Sequence, residues 1–84
     1  MRTVTIYTAV PCGFCTAAKA LLSARNVSYE EIDLTGRQDD RVALVQKTGM
    51  RTVPQVFIGD HFVGGYNELA AVDRAGELDA LLGR

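Results

Sequence analysis

The sequence predicts a small α/β domain, a four-stranded mixed sheet flanked by helices in the order β-α-β-α-β-β-α. Three observations predict it. Short β-branched and aromatic runs alternate with Ala- and Leu-rich stretches of helical spacing, the pattern of a sheet with helices packed on it. A Gly59-Asp60 turn between two apolar runs makes the last two strands a hairpin. At 84 residues and 48% hydrophobic content, the chain fits one domain over 1–84 that can still bury a core.

The elements follow in order. Residues 3–7 (Thr-Val-Thr-Ile-Tyr) are β-branched and aromatic, a strand signature. Residues 14–25 form a helix, with Phe14, Ala18, Leu21 and Leu22 at helical spacing and Asn26 as its stop. Residues 28–33 read as a second strand with a solvated acidic edge, Glu30, Glu31 and Asp33. A second helix is expected from Asp39 to Thr48. Asp39 and Asp40 suit its positive end, Lys47 its last turn, and Gly49 ends it. Residues 55–58 and 61–63 are the hairpin strands, and Gly64-Gly65 breaks the second. Asn67 is expected to cap a third helix running through Asp73. After Gly76 a short final helix carries Leu78, Leu81 and Leu82. The first β-α-β unit should be parallel and right-handed.

Composition excludes several functions. Net charge is −1 with both signs interspersed, so there is no basic stripe for nucleic acid. No apolar run approaches the ~20 residues of a membrane span. The first residues read as a strand rather than a signal peptide, so the expected location is cytoplasmic. There thiols are kept reduced and stable disulfides are rare.

That bears on Cys12 and Cys15, the chain's two cysteines, in Pro-Cys-Gly-Phe-Cys. A staple across three residues removes little unfolded-state entropy. A closed zinc site needs four ligands, and two cysteines with the single His61 do not make one. A redox pair remains, although Cys-x-x-Cys also occurs in zinc ribbons and electron-transfer proteins. Its position sharpens the reading. The pair sits between a strand and a helix, where orphan N–H groups and the helix dipole favour an anion. A free thiol of pKa ~8.5 falls to about 3.5–7.5 in such settings. Cys12 at the helix entrance is therefore the expected nucleophile. Cys15, one turn further in and more buried, is the expected resolving thiol.

Two distant features accompany the pair. Thr52-Val53-Pro54 leads into a strand, where a proline that cannot donate belongs at the first position. It reads either as an ordinary strand-start proline or as a cis Val53–Pro54 bond presenting the Val53 backbone to a bound peptide. Gly64-Gly65-Tyr66-Asn67 reads equally as a strand-to-helix turn or as a nest of N–H groups for a carboxylate.

Together the three features resemble the glutaredoxins. The matching residues are Ile6-Tyr7-Thr8 before Cys12-Gly-Phe-Cys15, Ala18-Lys19-Ala-Leu-Leu22, Thr52-Val-Pro-Gln-Val-Phe-Ile58, Gly64-Gly-Tyr66 and Leu78-Asp-Ala-Leu-Leu82. The likeness spans the chain and is strongest to the short bacterial glutaredoxin 3 type. It implies a thioredoxin-like fold and glutathione-dependent exchange with disulfide-containing or glutathionylated proteins, by a monomer. It also implies that Thr52, Val53 and cis-Pro54 hold the glutathione cysteine. Gly65 and the N–H groups of Tyr66 and Asn67 would receive its γ-glutamyl carboxylate.

Two departures stand out. Cys12-Gly13-Phe14 matches the start of the Cys-Gly-Phe-Ser motif of monothiol relatives, which bridge a [2Fe–2S] cluster between two subunits with glutathione. This makes a dimeric cluster carrier, ligated through Cys12, the alternative reading. Ala9 stands where glutaredoxins usually carry lysine; Arg37, Arg51 and Lys19 are the candidate replacements. A thioredoxin-like reductant independent of glutathione is weaker, since the chain has no tryptophan.

Overall fold

The computed structural model describes all 84 residues. The elements are β1 (Val4–Thr8), α1 (Gly13–Ala24), β2 (Glu30–Asp33), α2 (Gln38–Thr48), β3 (Gln55–Ile58), β4 (His61–Gly64), α3 (Tyr66–Arg74) and α4 (Leu78–Leu82). The sheet order is β2-β1-β3-β4. β1 and β2 are parallel across α1, as the β-α-β unit requires, and the other pairs are antiparallel. No helix is long and apolar enough to cross a membrane.

Strand alternation assigns the faces. Val4, Ile6, Val56 and Ile58 point to one side, where Ala18 and Leu22 of α1, Leu69 of α3 and Leu78 and Leu82 of α4 close the main core. Phe57 points the other way and packs with Leu34 and Leu44 under α2, with Tyr7 and Phe62 against it. Lys47 lies over the Phe57 ring, 5.0 Å from its centroid.

Most expected elements form within a residue or two. Asn26 takes a left-handed φ of 58° just beyond α1, and Gly49 one of 77° at the end of α2, so both are stops in the expected sense. β2 is shorter than expected, because Ser28 and Tyr29 remain outside the ladder. The expected Asn67 cap is replaced by Gly65, two positions earlier. The cause is Glu68, whose carboxylate accepts the Gly65 N–H at 2.7 Å and so starts the helix one turn before Leu69.

Arg25, just past α1, forms a two-pronged pair with Asp73 of α3 at 2.8 and 2.9 Å. The guanidinium hydrogen bonds, with its charge, hold the Asp73 carboxyl below the usual carboxylate range. The benefit of a depressed carboxyl is complete above its unfolded pKa of ~3.9 and is lost as pH falls through the folded value. Asp73→Asn should therefore lower the urea midpoint at neutral pH, and the two midpoints should converge as the pH falls below the ordinary carboxylate range. In the core, Leu22→Ala empties a fully buried position. It should cost about 2–5 kcal/mol in urea unfolding.

Candidate functional site

The connection from β1 to α1 ends on Cys12, which is the N-cap of the helix. Its backbone is extended, and its Sγ accepts the Cys15 N–H at 3.1 Å. Sulfur thus fills a role normally taken by a Ser, Thr, Asp or Asn oxygen. Cys15 is buried one turn inside, while Cys12 is half-exposed. The two sulfurs are joined, with Cα atoms 5.3 Å apart. No acidic side chain lies in the first turn of α1 to oppose the helix's positive end.

The limb before Cys12 is pinned from β2. The Val10 N–H donates to Thr35 Oγ1 at 2.9 Å. The Thr35 hydroxyl and N–H both donate to Asp33 Oδ1, at 2.6 and 2.9 Å. These bonds hold the Asp33 carboxyl below its ordinary range. Ala9, where a lysine was expected by resemblance, is buried against this connection.

Across from the pair, the Val53 carbonyl oxygen lies 3.6 Å from Cys12 Sγ, and the Val53 N–H has no hydrogen-bond partner within the chain. Val53–Pro54 is cis, as one of the two readings held; Val10–Pro11 is also cis, which nothing in the sequence suggested. Gln55 holds this segment in place and escaped sequence analysis. It is 1% exposed. Its Nε2 donates to the Met50 and Thr52 carbonyls at 2.8 and 2.9 Å, and its Oε1 accepts the Thr48 hydroxyl at 2.9 Å. The available signal was a glutamine in an otherwise apolar strand directly after a proline.

The third segment is the β4–α3 corner. Gly64 has φ 122°, and a Cβ there would lie 2.8 Å from Glu68 Cβ. A Cβ on Gly65 would come within 3.4 Å of the Pro54 carbonyl oxygen. Two glycines therefore let this corner close onto the Pro54 loop. The N–H groups of Tyr66, Asn67 and Glu68 begin α3 without intrahelical partners.

These segments enclose a cleft of ≈ 400 Å³. All six residues expected to bind, Thr52, Val53, Pro54, Gly65, Tyr66 and Asn67, line it. Phe14, Met50 and Glu68 complete the wall, which contains no Lys or Arg. The Phe14 ring, 63% exposed, reaches across to Tyr66 with centroids 5.9 Å apart. None of the candidate replacements for a lysine at Ala9 lines the cleft. Lys19 pairs with Glu31 at 3.1 Å, and Arg37 pairs with Asp40 at 2.8 Å. Arg51 lies in a separate groove beside α2 with Arg41. His61 is exposed on β4, remote from the pair.

The family model described as glutaredoxin matches residues 4–63. A glutaredoxin of Pseudomonas aeruginosa is 46% identical over 82 residues, covering 98% of each chain. Glutaredoxin 3 of Escherichia coli is 43% identical over 82 residues, covering 98% of this chain and 99% of its own. The crystal structure of a buckwheat glutaredoxin–glutathione complex superposes with a TM-score of 0.87 at 32% identity, covering 98% of this chain and 77% of that one.

The two supports of the cleft are separately testable. Gly64→Ala forces a side chain into a left-handed backbone against Glu68, and should destabilise by ~1–3 kcal/mol in urea unfolding. Gln55→Leu keeps the volume but removes the buried amide that ties the Met50 and Thr52 carbonyls and the Thr48 hydroxyl together, at a similar cost of ~1–3 kcal/mol.

Proposed function

The chain belongs to the glutaredoxin family and is a thiol–disulfide oxidoreductase, and from that premise we propose that glutathione is its electron donor, bound in the cleft beside Cys12. The observation that carries this reading is a shared cavity: the open Val53 backbone and the free first-turn N–H groups of α3 line it together, and the Cys12 sulfur lies 3.6 Å from the Val53 carbonyl oxygen. Val53 can pair with the extended glutathione backbone as an added strand. The N–H groups of Tyr66 and Asn67 suit its γ-glutamyl carboxylate, since helix N-termini favour anions. Cavity walls without cations leave that charge to N–H donors. That the buckwheat relative is solved as a glutathione complex supports the same choice.

The chemistry follows from the helix start. In the reduced enzyme, the N–H that meets Cys12 Sγ stabilises its thiolate. That thiolate attacks the glutathione sulfur of a glutathionylated protein. A new Cys12–glutathione disulfide forms, and the protein sulfur leaves and takes up a proton. A second glutathione thiolate then attacks the bound glutathione sulfur, releasing oxidised glutathione and restoring Cys12. In the dithiol route Cys15 makes the second attack, and the Cys12–Cys15 disulfide forms as glutathione leaves. Glutaredoxin potentials of about −200 to −230 mV match a glutathione-coupled cytoplasm, where we place a monomeric enzyme.

The alternative is a glutathione-bridged [2Fe–2S] carrier formed by two copies. A cluster takes four ligands, usually thiolates. One chain would supply Cys12 alone, so a second copy and two bound glutathiones would have to complete the set.

Turnover with glutathione and its reductase, set against thioredoxin reductase as electron source, tests the donor. Activity only with the latter would reject glutathione. Cys12→Ser should abolish reduction of a glutathione mixed disulfide. Cys15→Ser should retain most of it while losing the dithiol reduction of protein disulfides.

A further inference from the structure

Met50 lines the cleft opposite the start of α3, and nothing in the exchange chemistry uses it. Its thioether sulfur lies 3.9 Å from the place a Cβ would occupy on Gly65, the N-cap of α3. Its backbone is fixed on both sides: its N–H donates to Thr48 Oγ1 at 3.1 Å, and its carbonyl accepts Gln55 Nε2 at 2.8 Å. The side chain is half-buried, open enough for a small oxidant. The other methionine, Met1, is 66% exposed and lies at the chain's start, away from the cleft.

We infer that Met50 is a redox modification site that weakens glutathione binding when oxidised to the sulfoxide; this rests on the glutathione reading of the cleft. Hydrogen peroxide is the oxidant. The sulfur lone pair attacks one peroxide oxygen, the O–O bond breaks, and the oxygen stays on sulfur. The second oxygen takes up the proton of the first and leaves as water. Sulfur loses two electrons, which the peroxide takes. The change turns an apolar wall atom into a strong acceptor. Beside Gly65, a sulfoxide oxygen competes for the first-turn N–H groups of α3, the donors that the γ-glutamyl carboxylate needs. Because a sulfoxide is reversible by methionine sulfoxide reductases, the block can be lifted.

The disulfide form permits a clean test. With Cys12 and Cys15 paired, the thiols are not available to peroxide. The oxidised enzyme is treated with hydrogen peroxide, desalted, reduced, mapped by peptide mass spectrometry and assayed, with glutathione as donor, against the concentration of a glutathione mixed disulfide. One added oxygen at Met50 should raise KM for the mixed disulfide on the order of tenfold, the scale of one lost hydrogen bond to a charged group. The rate at saturation should hold. Methionine sulfoxide reductase should restore KM, and Met50→Leu, which keeps Met1, should show no peroxide effect. Oxidation at Met50 with unchanged KM overturns the inference. So does an unoxidised Met50 where Met1 has reacted fully, or an equal peroxide effect in Met50→Leu. If the untreated enzyme does not turn over a glutathione mixed disulfide with glutathione as donor, the functional reading itself fails and this inference falls with it.

Discussion

The site depends on one hydrogen bond, from the Cys15 N–H to the Cys12 sulfur at the start of α1. It satisfies an orphan donor of the helix with the atom that does the chemistry. Helix initiation and thiolate stabilisation are therefore the same contact. The twelve-residue α1 buries Ala18 and Leu22 in the main core, so the sheet's packing fixes where that sulfur sits. No first-turn acid offsets the positive end of the helix.

The remaining parts are braced toward that sulfur. Val10 is tied through Thr35 to Asp33, which steadies the limb before Cys12. Gln55 gathers the Met50 and Thr52 carbonyls and the Thr48 hydroxyl, which steadies the Val53 side. A buried amide is costly unless fully partnered, and here all three of its bonds hold backbone or side chain of the same loop. The glycine pair then lets the α3 corner approach Pro54.

The cleft itself holds no cation, and the chain compensates with backbone donors. Such donors are fixed by the fold, need no side-chain ordering, and favour a carboxylate through the helix dipole. They also leave the site sensitive to any new acceptor nearby, and Met50 is the wall atom best placed to become one.

Periodicity and turn residues by themselves determined the element order and the sheet, because a strand's two faces and a helix's buried stripe are written in local spacing. The cysteine pair, Thr52-Val53-Pro54 and Gly64-Gly65 were legible for the same reason: each is a short run whose backbone demands are local. The true start of α3 was not, since the cap depends on whether Glu68 reaches back to Gly65. The partners of Lys19, Arg37 and Arg51 were equally hidden, because a long side chain's partner is set by what the fold brings near it. Gln55 and Met50 looked like ordinary sequence and gained meaning only when residues 48–55 curled beside the α3 corner. Local conformational preference is carried by neighbouring residues. Convergence of segments some forty residues apart is decided only by packing the sheet and helices into one core.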